Sequence, residues 1–198
     1  LARMGFEVAL IAPPAPSDAR STALIGSSLD FLKTIDLLDS VRNRGEKLAV
    51  MRLIDDTRRL FRAPIIEFHA AEIDRDCFGI NILNADLMTV LSEEVESAVK
   101  ITWLRSGVTD AVVAGDHVVL TTDDGPSVRT FLAVGADGRR SRIRESAGLT
   151  MRTWSYPQSA LVLNFRHSRD HNGISTEFHT PTGPFTQVPL PGKRSSLV

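Results

Sequence analysis

Three short stretches of this sequence bring together residues with usable chemistry. The first is Phe131-Leu-Ala-Val-Gly135-Ala-Asp137-Gly138-Arg-Arg-Ser-Arg-Ile-Arg144. It is an apolar run, then a carboxylate between glycines, then the polar start of a helix. Glycine lets a ligand or a neighbouring backbone come close, and a helix start attracts phosphate through its free N–H groups. The same residues also suit a plain strand-to-helix turn in which Asp137 caps the helix and the arginines are solvated. The second stretch, Asp18-Ala-Arg20-Ser-Thr-Ala-Leu24, follows a proline-rich loop. The Arg20 guanidinium could grip pyrophosphate oxygens in bidentate fashion, although a surface arginine beside a helix cap would look alike. The third pairs Trp154-Ser-Tyr156-Pro-Gln158-Ser-Ala-Leu161 with Glu177-Phe-His179-Thr-Pro-Thr-Gly183-Pro184-Phe185-Thr-Gln-Val-Pro189-Leu190. Aromatics and prolines on an antiparallel sheet can wall a pocket for a flat ring, or can simply be core and turn. His167 and His171 have ligand-like spacing, but Gly173 and the strand pattern argue against one helical face there, and no metal site is assigned.

The elements that must position these residues alternate in texture. Leu1 to Met4 reads as a last helical turn closed by Gly5, and Glu7 to Ala12 as an apolar strand ended by Pro13-Pro14. Ser28 to Leu38 carries Leu29, Leu32, Ile35 and Leu38 at helical spacing, and Asn84 to Ala98 carries Leu87, Val90, Leu91 and Val95 likewise. Strands are expected at Leu48 to Ile54, Ile65 to His69, Val108 to Ala114, His117 to Thr122 and Val128 to Val134. Ser141 to Ala147 reads as a short helix. From Arg152 onward come four strand-like segments separated by Gly/Pro turns, the texture of a largely antiparallel sheet. The fold class is therefore α/β, an α+β mix, with two interleaved lobes. Residues 1–46 and 79–150 form one, and residues 47–78 and 151–198 the other.

Composition narrows the function classes. The chain has 198 residues, a formal net charge of −1 and a single cysteine, Cys77. Such a balance gives no reason to expect nucleic acid, and one cysteine forbids an intrachain disulfide. No apolar run approaches the roughly 20 residues that span a bilayer. The opening LARMGFEVALIAPP is not a signal peptide, and it reads as the interior of a longer chain.

In this order and spacing, the three stretches resemble the FAD-dependent aromatic hydroxylases of the para-hydroxybenzoate hydroxylase type. The ubiquinone-biosynthesis branch, which acts on polyprenylated phenols, is the more similar. The resemblance rests on Arg-x-x-Ala-Leu at Arg20 to Leu24 and Val-Gly-Ala-Asp-Gly with Ser and Arg at Val134 to Arg144. It rests too on Tyr-x-Gln-x-Ala-Leu at Tyr156 to Leu161, then Glu-x-Phe, Gly-Pro and Pro-Leu between Glu177 and Leu190. It implies a Rossmann-like FAD/NAD(P)-binding three-layer domain interleaved with a mainly antiparallel substrate-binding sheet. It implies FAD as cofactor, with NAD(P)H as transient co-substrate and O₂ giving one oxygen atom to an aromatic ring. Arg20, Asn84, Gly135, Asp137, Gly138 and Arg144 would meet the cofactor. Phe178, His179 and Phe185 would wall the substrate pocket, and no side chain would act as catalytic acid, base or nucleophile. The family's Gly-x-Gly-x-x-Gly motif would precede Leu1 and its later Gly-Asp motif would follow Val198. Ala12, followed by Pro13, stands where many relatives place a ribose-binding acid. A cytoplasmic protein, or one peripheral at the inner face of the membrane, with a small aromatic substrate is expected. A partner chain could cover an open sheet edge. A halogenase or prenyl reductase of the same fold, or a non-catalytic module without FAD, are the competing readings.

Overall fold

The computed structural model describes residues 1–198. A short 3₁₀ turn, Ala2–Met4, is closed by Gly5 in the left-handed conformation, as expected at a helix end. Fourteen strands and four α-helices follow. In chain order the first are β1 (Val8–Ile11), β2 (Ser21–Ile25), α1 (Ser27–Thr34), α2 (Leu38–Arg44), β3 (Glu46–Leu48), β4 (Val50–Asp55) and β5 (Ile66–His69). Next come β6 (Gly79–Leu83), α3 (Asn84–Ser97), β7 (Ile101–Leu104), β8 (Val108–Ala114), β9 (His117–Thr122), β10 (Val128–Thr130) and α4 (Arg142–Ser146). The last four strands are β11 (Leu163–Arg166), β12 (Ile174–Thr180), β13 (Gly183–Leu190) and β14 (Arg194–Leu197).

The chain packs as two compact units, each made of two segments. One comprises Leu1–Pro16 and Ser92–Pro157, the other Ser17–Leu91 and Gln158–Val198. These units are divided after Pro16, Leu91 and Pro157, whereas sequence texture placed its divisions at 46/47, 78/79 and 150/151.

In the first unit β1 runs parallel to β7, with Val8 opposite Ile101 and Ile11 opposite Leu104. The indole of Trp103 donates to the carbonyl of Ala12, which fixes the chain where β1 ends. Strands β8, β9 and β10 form an antiparallel meander. The expected strand to Val134 stops earlier: the ladder ends at Thr130, and Phe131, Leu132 and Val134 are exposed.

The second unit holds a three-stranded antiparallel sheet, β2-β6-β3, and a six-stranded sheet ordered β11-β14-β13-β12-β4-β5. The larger sheet is antiparallel except where β12 runs parallel to β4. Its core lies on the smaller one: Leu29 and Leu32 of α1, Leu37, Val41 of α2, Ile80 and Ile82 of β6, Cys77 and Val90 of α3 form one buried cluster. Asn81, between the two isoleucines, is itself buried and donates to the carbonyl of Pro189 on β13 at 2.7 Å. That bond satisfies an amide that would otherwise cost free energy to bury, and it ties the two sheets together. The helix expected from Ser28 to Leu38 is broken in two. Asp36 takes a left-handed conformation (φ 55°), which an aspartate tolerates and a helix does not.

Candidate functional site

The loop from Gly135 to Arg144 is built by its own polar side chains. Ser141 is the N-cap of α4, its hydroxyl accepting from the Arg144 N–H at 3.0 Å while donating to Asp137. The other Asp137 oxygen accepts from the N–H groups of Arg142 (2.6 Å) and Ile143 (3.3 Å). Burial alone would raise the Asp137 carboxyl; the Ser141 hydroxyl and the backbone N–H groups outweigh it and hold the group below its ordinary value. The Arg144 guanidinium donates to the Arg139 carbonyl at 3.1 Å and closes the loop on itself. Two glycines are required here. Gly138 has φ +80°, and a Cβ at Gly135 would stand 2.9 Å from the Cβ of Ile143.

This corrects one part of the sequence reading. The helix N–H groups supposed to be free for phosphate already serve Asp137 and Ser141. What the loop does present is a cavity of about 370 Å³ beyond the carboxyl end of β1. Its wall includes Leu10 to Pro13, Val108, Leu120, Ala133, Val134 and Ile143, with Asp137, Arg140 and Arg142 as its charged groups. Arg142 leans on Glu145 at 3.2 Å, while Arg140 has no carboxylate partner and is free to meet an anion. An apolar hollow with guanidinium groups suits a flat ring carrying a phosphate, and ligands of open α/β sheets lie beyond strand carboxyl ends. These residues fit one end of a dinucleotide such as FAD. Arg140 and Arg142 were not singled out from the sequence; their lone signal was position, just before the α4 cap.

Arg20 and Asn84, 64 positions apart, are brought to one network in the second unit by a residue the sequence reading passed over. Asp18 accepts from the Arg20 Nε at 2.9 Å and Nη2 at 2.8 Å, and from the Asn84 Nδ2 at 2.7 Å. Thr22 donates to the Asn84 Oδ1 at 2.6 Å. The Arg20 guanidinium, then the Asn84 amide and the Arg20 N–H, hold the Asp18 carboxyl well below the usual range. Arg20 lies on a loop as expected, as the last residue before β2, and its carbonyl accepts from the Asn84 N–H at 2.9 Å. It remains largely exposed, so a second anion can still reach the guanidinium. The signal for Asp18 was its Asp-x-Arg spacing, which puts a carboxylate within reach of a backbone N–H two residues on.

The three pocket-wall residues do not share a face. Phe178 and Phe185 are cross-strand partners with rings in edge contact, 5.6 Å between centroids. His179 follows Phe178 on the strand, so it points to the opposite face, where it pairs with Glu177 at 3.2 Å. His167 and His171 approach each other to 5.7 Å, each engaged by a backbone carbonyl: Arg169 for one, Leu190 and Gly192 for the other. Cys77 is buried, and burial pushes its thiol up, away from nucleophile chemistry.

No protein-family model matches the chain. Over 183 residues it is 36% identical to the ubiquinone hydroxylase UbiL of Rhodospirillum rubrum, covering 91% of this chain and 41% of that protein. It is 30% identical over 211 residues to the 3-demethoxyubiquinol 3-hydroxylase of Escherichia coli, covering 100% of this chain and 52% of the relative. The chain thus spans about half the length of the curated relatives it matches. Its fold is that of PqsL from Pseudomonas aeruginosa (TM-score 0.82, 19% identity, 99% of this chain and 54% of that one). It is also that of HpxO from Klebsiella pneumoniae, solved with FAD and uric acid (TM-score 0.70, 19% identity, 96% and 48%). By sequence the chain is a relative of the ubiquinone hydroxylases, and its fold is the one that FAD-dependent monooxygenases adopt.

Proposed function

We propose that this chain is part of an FAD-dependent monooxygenase that hydroxylates the ring of a polyprenylated phenol in ubiquinone biosynthesis, using NAD(P)H and O₂. The observation that carries this reading is a sequence relationship to ubiquinone hydroxylases that runs through nine-tenths of the chain. When bound, FAD supplies the oxygen-activating chemistry, so the protein's task is to bind, orient and exclude water. Arg140 and Arg142 would contact the cofactor's phosphates at the β1 cavity, with Gly135, Asp137, Gly138 and Arg144 setting the shape of that wall. Asp18 would hold Arg20 and Asn84 in place as cofactor contacts of the second unit. Phe178 and Phe185 offer an apolar edge for the substrate ring, and His179, on the other face, takes no part in it. Roles divide along the chain as 1–46 and 79–150 for cofactor, and 47–78 and 151–198 for substrate. No helix is long and apolar enough to cross a membrane. With a polyprenyl substrate, peripheral association at the inner membrane face follows.

The experiment is made on the full-length protein. It should purify yellow with FAD, and with NAD(P)H, ¹⁸O₂ and a prenylphenol it should yield a product heavier by one labelled oxygen. A flavoprotein that oxidises NAD(P)H but halogenates or reduces instead would reject hydroxylation. A colourless protein that takes up no added FAD would reject the flavoenzyme altogether.

A further inference from the structure

We propose that the loop joining β4 to β5, residues 56–65, is the place where this protein docks on an anionic lipid surface. Strand pairing in this hairpin reaches Leu53 opposite Ile66. Beyond it runs Asp56-Thr-Arg58-Arg59-Leu60-Phe61-Arg62-Ala-Pro64-Ile65. Every residue from Arg58 to Ile65 is exposed. Leu60 is 92% and Phe61 88% exposed, the highest values of any leucine or phenylalanine in the chain. Single apolar side chains on a surface need no explanation. Two adjacent ones, set between Arg58-Arg59 and Arg62, form an apolar tip with a basic collar.

Of the acidic groups nearby, Asp55 and Asp56 are engaged within the loop, Asp56 by a collar arginine, and Glu67 is engaged on the strands behind it. Asp55 accepts from the Thr57 N–H (3.0 Å), the Thr57 hydroxyl (2.6 Å) and the Ala63 N–H (3.0 Å), so it clamps both ends of the loop. Asp56 stands 3.7 Å from Arg62, and Glu67 is taken by Arg52 at 2.6 Å with His69 at 3.4 Å. Arg58 and Arg59 form no ion pair within 4 Å, although the charge of Arg59 is felt by the Asp55 carboxylate. Alongside, β5 is the outermost strand of its sheet, and its Ile66 and Phe68 are exposed on the face they share with Met51.

Charge complementarity selects the occupant. Arginine stems can lie along apolar material while their guanidinium groups stay at the level of phosphates. Anionic headgroups supply that phosphate layer, and the acyl boundary below it takes Leu60 and Phe61. The proposal deepens the peripheral association stated above and rests on that reading.

The test is co-sedimentation of the full-length protein with vesicles of phosphatidylcholine alone and of phosphatidylcholine with phosphatidylglycerol. Binding is expected to the anionic vesicles, falling with added salt, and little to the neutral ones. The double variant Leu60→Ser/Phe61→Ser should lose about tenfold or more in affinity, and Arg58→Ser/Arg59→Ser several-fold, each with the circular dichroism and thermal midpoint of the parent. A parent that binds anionic vesicles while both variants bind equally well overturns the loop and leaves peripheral association standing. A parent that ignores anionic vesicles overturns both. Self-association without vesicles that is lost in Leu60→Ser/Phe61→Ser, with vesicle binding unchanged, overturns the lipid surface in favour of a second copy.

Discussion

The two units are stabilised by different means. The second unit contains the one buried apolar cluster, in which Val41, Ile80 and Ile82 are wholly inaccessible. In the first unit Leu120 is the only buried apolar side chain. Yet the first unit carries the more elaborate polar construction, the Asp137–Ser141–Arg144 loop beside the cavity. Apolar burial holds the second unit; ladder bonds and side-chain caps hold the first. A loop that rests on caps rather than on a packed core is a suitable wall for a ligand, because the ligand's own contacts then add to its stability.

The sharpest way to break this contrast is in the core. Ile80→Ala removes a fully inaccessible side chain from between α2 and β6 and should cost about 2–5 kcal/mol. Urea unfolding followed by circular dichroism would read it. A loss as small as that of a surface change would mean the cluster does not carry the unit's stability.

Next comes the wall of the cavity. Gly135→Val would place side-chain atoms against Ile143, where even a bare Cβ already comes within 2.9 Å. Overpacking of this kind costs about 1–3 kcal/mol, and here it should push α4 off the loop. Protection of the Arg142 and Ile143 amides against hydrogen exchange should fall, while the Ile80 and Ile82 amides of the other unit keep theirs. Loss spread evenly over both units would refute the idea that the loop is separately stabilised.

Much of this was legible in the sequence, for identifiable reasons. The α3 helix and the β8–β9 hairpin follow from spacing and turn residues that act locally. The Asp137 loop was legible as a helix start because all its bonds span six residues or fewer. Strands β2 and β6 were missed, since Ser21-Thr22 and Gly79-Ile80-Asn81 look like turn material until they pair with each other. Asn81 reads as a strand breaker, and only a carbonyl 108 positions away makes it acceptable in a core. The opposite error occurred at Phe131 to Val134, where an apolar run suggested a strand but no ladder extends beyond Thr130. His179 was grouped with Phe178 and Phe185 from composition, which does not register that neighbours on a strand face opposite ways.

A smaller effect is expected from the cap itself. Asp137→Ala leaves the Arg142 and Ile143 N–H groups without their acceptor and should cost about 0.5–2 kcal/mol. If the same residue were instead a direct ligand of the cofactor's phosphates, its own negative charge would oppose them. Asp137→Ser, which retains an acceptor, should therefore recover part of the stability and most of the FAD affinity, read by flavin fluorescence in the full-length protein. Recovery of neither would show that the carboxylate acts on the ligand and not through the cap.

The smallest effect lies at Asp18, the second unit's counterpart of Asp137. Its carboxyl is held below its ordinary value by Arg20 first and Asn84 next, so the folded state prefers the charged form. A depressed carboxylate contributes stability above its unfolded pKa and loses that contribution as pH falls through the unfolded value toward the folded one. The difference in stability between the parent and Asp18→Asn should therefore be present at neutral pH and shrink steadily below about pH 4. Because the pair is exposed, solvent and salt screen it, and the difference should be small and smaller still at high ionic strength. Arg20→Met should bring the Asp18 carboxyl back toward ordinary titration, seen in its carbon chemical shift. An Asp18 that titrates unchanged in Arg20→Met would mean that the Asn84 amide alone holds it, and that the guanidinium is not part of the network but already free for a phosphate.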